Sequence, residues 1–120
     1  MEHLQQWLDR YLVAWRTNDP DDIRALFTDD ATYAGSPLDP EPWVGIGAIV
    51  EQWLAHRDEP GEWRFEGAPL ARTGDVGVIE GRTEYADGRT YANIWVVHFG
   101  DDRRARSFVE WFVEPGTPWA

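Results

Sequence analysis

The spacing of apolar positions changes once along this chain, near residue 60. Before that point the period is helical. Leu4, Trp7, Leu8, Tyr11, Leu12 and Trp15 fall three, four, seven, eight and eleven residues along one stripe, which predicts a helix over 3–17. It stops near Asn18-Asp19-Pro20. A second helix begins there, with Asp19 suited to the N-cap, Pro20 to the first helical position, and Asp21 and Asp22 to the positive end of the helix dipole. Ile23, Leu26 and Phe27 form its expected buried face, and it ends before Asp29. Residues 31–34 read as a short strand. Three prolines between Gly35 and Pro42 exclude regular structure and predict a loop, with Trp43 at its end. A third helix is expected over Ile46, Ile49, Val50, Trp53 and Leu54.

After the turn at Asp58-Glu59-Pro60-Gly61 the period becomes two. Strands are predicted over 63–70, 76–85, 90–99 and about 104–113, with Asp87-Gly88 as a hairpin signal and Gly100-Asp101-Asp102 as a second turn. Pro115, Gly116 and Pro118 end the order. In the 90–99 strand, Tyr91, Asn93, Trp95, Val97 and Phe99 share one face and Ala92, Ile94, Val96 and His98 the other. Both faces are largely apolar, whereas an antiparallel sheet commonly shows one face to water, so both sides are expected to be covered. The class is α+β. One domain over 1–120 is expected to pack three N-terminal helices on the concave face of a curved, mostly antiparallel sheet.

Composition narrows the chemistry. The chain has 120 residues, 42% hydrophobic, with eight Trp, enough for a core. Its net charge of −11 argues against nucleic acid and anionic membrane surfaces. No apolar run approaches the length of a membrane span, and the first residues lack a basic segment before an apolar one, so a cytoplasmic location is expected. There is no Cys and no Lys, which removes thiolate and lysine Schiff-base chemistry. Neither Ser36 nor Ser107 lies in Gly-x-Ser-x-Gly. His3, His56 and His98 are scattered, so no metal site is expected. Gly45-x-Gly47 lacks the third glycine of a nucleotide loop. Carboxylates, Tyr, Arg, Asn and His remain.

Several phrases carry a resemblance: Tyr11 to Trp15 followed by Asn18-Asp19, Ala25-Leu26-Phe27-Thr28-Asp29-Asp30-Ala31-Thr32, Gly45 with Ala48-Ile49, and Asp87-Gly88-Arg89-Thr90 followed by Asn93 and Glu110-Trp111. In order and content the chain resembles the NTF2-like superfamily, which includes SnoaL-like polyketide cyclases, ketosteroid isomerases, limonene epoxide hydrolases and scytalone dehydratases. The resemblance covers nearly the whole chain. It implies a deep cavity between helices and sheet, no cofactor, and a homodimer through the convex sheet face. It also puts Trp95 inside. Alternation then places Tyr91, Asn93, Phe108, Glu110 and Phe112 inward, and on the 76–85 strand Val78, Glu80, Arg82 and Glu84.

The expected pocket is aromatic. Trp15, Tyr33, Trp43, Trp53, Tyr91, Trp95, Phe108 and Phe112 form its walls, and Glu110, Arg82, Tyr11, Asn93 and Glu80 supply its chemistry. A carboxyl among aromatics has a raised pKa and can exchange protons near neutrality. Glu110 is the expected acid/base, Arg82 and Tyr11 the stabilisers of negative charge, and Asn93 the orienting group. Tyr11 aligns with the oxyanion-binding tyrosine of ketosteroid isomerases. Their general base falls near Gly35 or Ser36 and their buried aspartic acid at Trp95, which argues against steroid isomerisation. Two carboxylates and an Arg are the residue types of limonene epoxide hydrolases, without a matching motif. The expected activity is isomerisation, cyclisation, dehydration or hydration of a compact apolar molecule carrying oxygen. The alternative is a non-catalytic ligand-binding or dimeric interaction module with a structural Arg/Glu cluster. Ala92, Ile94, Val96, Val109, Trp111 and Val113 form the apolar convex patch on which the dimer is expected.

Overall fold

The computed structural model describes residues 1–117, so Pro118, expected to help end the ordered chain, lies outside the described residues. Helix α1 (Glu2–Thr17) buries Leu4, Trp7, Leu8, Tyr11, Ala14 and Trp15 along the expected stripe. Asn18 ends it in the left-handed conformation, and its backbone N–H donates to the Ala14 carbonyl. Helix α2 (Pro20–Arg24) starts as expected, with the Asp19 carboxylate accepting from the Asp21 N–H. It is shorter than its apolar pattern suggested. Leu26 and Phe27 are fully buried, but beyond the helix. Leu26 closes a turn, its N–H donating to the Ile23 carbonyl at 3.1 Å, and from Phe27 the chain is extended as strand β1 (Phe27–Ala34), parallel to the last strand. The Leu26 carbonyl accepts from the Ala105 N–H at 2.8 Å.

A two-residue strand β2 (Trp43–Val44) follows the proline-rich loop and leads into α3 (Ile46–Ala55). Gly45 turns the chain between them at φ 88°, a conformation that favours glycine. Strands β3 (Trp63–Thr73), β4 (Val76–Tyr85), β5 (Thr90–Phe99) and β6 (Ala105–Val113) form an antiparallel meander. The sheet order is β2-β1-β6-β5-β4-β3, with β1 and β6 the parallel pair. Three helices lie against this six-stranded mixed sheet, an α+β cone. Among the described residues, no helix is long and apolar enough to cross a membrane.

The inward faces of β5 and β6 are those expected: Asn93, Trp95, Val97, Phe99 and Phe108 are all buried. The face of β4 is reversed. Its register pairs Ile79 with Trp95, Gly81 with Asn93 and Thr83 with Tyr91, so Gly77, Ile79, Gly81, Thr83 and Tyr85 point inward. Glu80 and Arg82 are on the convex face, exposed to solvent. There Arg82 pairs with Glu84 at 3.0 Å, and Arg64 with Glu84 at 2.8 Å. The reason is packing. A Cβ at Gly81 would lie 2.4 Å from the Phe65 ring, and one at Gly77 2.7 Å from Leu4. The inner face of β4 is thus marked by glycines that admit neighbouring side chains, while the unpaired burial of Glu80 and Arg82 would have cost several kcal/mol.

Candidate functional site

Between α1, α3 and the concave sheet lies a cavity of about 400 Å³. Its walls include Tyr11 and Trp15 from α1, Trp53 from α3, Tyr33 from β1, Trp43 from β2, and Tyr85, Glu110 and Phe112 from the sheet. Gly35, Asp39, His56, Arg57 and Asp58 complete the lining. A second lobe of about 180 Å³ is lined by Thr83, Arg89, Tyr91 and Asn93, and shares Trp15, Tyr85, Glu110 and Phe112 with the first. Glu110 therefore borders both lobes.

Three residues from three elements form a hydrogen-bonded chain. The Tyr33 hydroxyl donates to Glu110 Oε2 at 2.5 Å. Tyr11 Oη lies 2.8 Å from Tyr33 Oη. Because Tyr33 has one proton and gives it to Glu110, Tyr11 donates to Tyr33. Each position follows from its element: the helical stripe aims Tyr11 inward, and Tyr33 lies opposite Phe108 in the parallel β1–β6 pair.

Burial of the Glu110 carboxyl is the main cause that pushes its pKa from an ordinary 4.5 up to about 7. The hydrogen bond from Tyr33 opposes the shift, and the negative charge of Asp58 adds to it. Tyr11 and Tyr33 are both raised well above the ordinary phenol value, first by burial and then by the charge of Glu110. The phenols stay protonated while the carboxyl titrates near neutrality.

Asp58 organises the opposite wall. Its Oδ2 accepts from the Trp15 indole at 3.1 Å and from the Tyr85 hydroxyl at 3.0 Å. Its carbonyl accepts from Asn18 Nδ2 at 2.9 Å, and Asn18 Oδ1 accepts from the Trp53 indole at 3.0 Å. One turn thus ties three rings in place. Burial, then the charge of Asp58, raises the Tyr85 phenol above its usual range. In the smaller lobe Thr83 donates to Asn93 Oδ1 at 2.7 Å, which fixes the amide and leaves Nδ2 available.

The structure gathers Tyr11, Trp15, Tyr33, Trp43, Trp53, Tyr91, Asn93, Glu110 and Phe112 around the two lobes. It does not bring Glu80 or Arg82 there, and Arg82 and Glu110 are not a pair. Trp95 and Phe108 are fully buried and line neither lobe. Trp95 stacks on Phe65 with ring centroids 4.8 Å apart and packs behind Tyr11 at 4.8 Å, so it supports the site from the core. Sequence reasoning missed Asp58 and Tyr85. The correct β4 face would have shown Tyr85. Asp58 looked like an ordinary turn residue, and its partners lie 43 and 27 positions away.

A six-stranded cone closed by three helices over an aromatic cavity defines the NTF2-like class. Residues 8–110 match the SnoaL-like domain, and the chain belongs to the SnoaL-like family. Among solved structures it is similar to an NTF2-like protein of unknown function from Burkholderia xenovorans LB400, at a TM-score of 0.77 and 19% identity, covering 99% of this chain and 89% of that one. A SnoaL-like family protein from Agrobacterium tumefaciens strain C58, provisionally named an isomerase, aligns at 0.73 and 21% identity over 94% and 99%. An NTF2-like protein of unknown function from Mesorhizobium loti aligns at 0.71 and 20% over 93% and 92%. At these identities the likeness establishes the fold alone. No curated protein matches the sequence.

Proposed function

We propose that this protein performs acid/base chemistry on a compact small molecule, with Glu110 as the group that takes and returns the proton. The observation that carries this reading is the Tyr11–Tyr33–Glu110 chain, whose carboxyl end borders both lobes of the cavity. A carboxyl that titrates near the working pH is matched to proton transfer. When Glu110 is protonated it can donate to Tyr33, and Tyr33 to Tyr11. The chain then reverses, and the Tyr11 proton is free to face a substrate oxygen. Asn93 Nδ2, in the adjoining lobe, is suited to hold a carbonyl or hydroxyl. Isomerisation, cyclisation, dehydration and hydration all use these parts: a base, its conjugate acid, and donors for a developing negative charge. Arg82 and Glu80 have no part in it.

A homodimer through the convex face belongs to the same reading. Trp111 is 42% and Val113 40% exposed beside Ile94, Val96 and Val109, on the sheet face away from the helices.

A general base in an apolar cavity opens a nitrobenzisoxazole by removing its C–H proton while the N–O bond breaks to give the cyanophenolate. The expected rate rises with pH through a midpoint near 7 and is lost in Glu110→Gln. Equal rates for wild type and Glu110→Gln would overturn the assignment.

A further inference from the structure

Most ring donors of the larger cavity already have partners. With Glu110 ionised, the proton of Tyr11 goes to Tyr33 and that of Tyr33 to Glu110. The Trp15 and Tyr85 protons go to Asp58, and the Trp53 proton to Asn18. Among the ring donors of the described wall, Trp43 N–H alone has no recorded partner. Two acceptors remain: Asp58 Oδ1 and Glu110 Oε1 carry no hydrogen bond among the described residues, whereas the oxygens of Asp39, also in the lining, accept from the Gly35 and Glu41 backbone N–H groups. The positive charges of the nearby arginines are each matched by a carboxylate. Arg57 is paired with Glu59 at 3.1 Å, and Arg89, in the smaller lobe, with Asp87 at 2.8 Å. His56 is exposed, with Nδ1 3.0 Å from the Gln52 carbonyl. An anionic ligand would leave these acceptors without new partners, and a neutral alcohol would bring a single O–H donor and no charge. A ligand bearing N–H donors and positive charge would meet both carboxylates and the surrounding π-systems, whose ring faces attract cations.

We infer that the cavity takes a small organic cation, a protonated amine on a compact apolar body, with Asp58 and Glu110 receiving its N–H groups inside the wall of Trp15, Trp43 and Trp53. This rests on the reading of the cavity as a small-molecule site and names the class of molecule it selects. It also gives Asp58 two roles, in holding Trp15 and Tyr85 and in meeting the ligand's charge.

Three ligands of nearly equal shape separate the possibilities: cyclohexylmethylamine, cyclohexylmethanol and cyclohexanecarboxylate. Binding is read from Trp fluorescence at pH 8. The expected result is that the amine binds at least about tenfold more tightly than the alcohol, and the carboxylate most weakly. Asp58→Asn should remove most of the preference for the amine. If that variant fails to fold, Glu110→Gln, which also deletes one carboxylate charge, should reduce the same ratio. An alcohol that binds as tightly as the amine would overturn the cation assignment and leave the small-molecule reading standing. An amine preference unchanged in both variants would overturn the role of the two carboxylates. No binding by any of the three at millimolar concentration would overturn the cavity reading itself.

Discussion

Replacing Glu110 by Gln should stabilise the protein, and the gain should grow with pH. The folded state holds the Glu110 proton more tightly than the unfolded state, because its pKa rises from 4.5 to about 7. Stability from this group is therefore fully present below about pH 4.5 and is lost as pH rises through about 7. At about 1.4 kcal/mol per pH unit, the full penalty above neutrality is about 3 kcal/mol. Gln keeps the shape and can still accept from Tyr33, but it does not ionise. The two proteins will also differ by a constant amount from altered hydrogen bonding, so the informative quantity is the change in their difference with pH. Between about pH 5 and about pH 8.5, the stability of Glu110→Gln relative to wild type should rise by about 2.5 kcal/mol. Urea unfolding at one fixed protein concentration measures this directly. A difference that stays constant to within about 0.5 kcal/mol, inside the scatter of extrapolated stabilities, would refute the claim that the carboxyl is held in a desolvated state.

Three further outcomes test separate parts of the account. Tyr33→Phe removes a hydrogen bond that favours ionised Glu110, so the midpoint should climb by about one to two pH units, and less in Tyr11→Phe, as followed by carboxyl NMR. Because Glu80 and Arg82 face solvent, Glu80→Gln and Arg82→Met should change unfolding free energy by less than about 1 kcal/mol, whereas Gly81→Val, forced against Phe65, should cost about 1–3 kcal/mol. Light scattering at micromolar concentration should give a dimer for wild type and a monomer for Trp111→Glu; a wild-type monomer would remove the convex-face assembly.

The fold was legible because long periodic segments dominate the chain. The α1 stripe from Leu4 to Trp15 and the alternation of β5 each gave a correct face, and Pro20 after Asp19 marked the start of α2. β1 was read four residues short, because its parallel partner, β6, lies more than seventy positions away and leaves no local trace. The β4 error has a different origin. On that strand the outer face carries Val78, Glu80, Arg82 and Glu84, while two of the inner positions are Gly77 and Gly81. Glycine has no side chain to register in a hydrophobic pattern, so in the sequence the larger side chains of the outer face dominate the alternation. Two of the five candidate chemical residues, Glu80 and Arg82, therefore lie on the convex side. Glu110 and Tyr11 lay on well-patterned elements and could be read. Asp58 could not, because its place in the site depends on hydrogen bonds to Trp15 and Tyr85 that only the closed fold creates.

On the proposed function, one carboxyl, at the end of the tyrosine chain and on the boundary of both lobes, is poised to exchange a proton near neutrality. Carbon-detected NMR of the Glu side-chain carboxyls, with Glu110→Gln used to assign the resonance, follows that group alone through a pH titration. The expected midpoint is about 7, well separated from exposed glutamates at about 4.3. A Glu110 midpoint among those exposed groups would contradict it, and would leave the cavity without its acid/base.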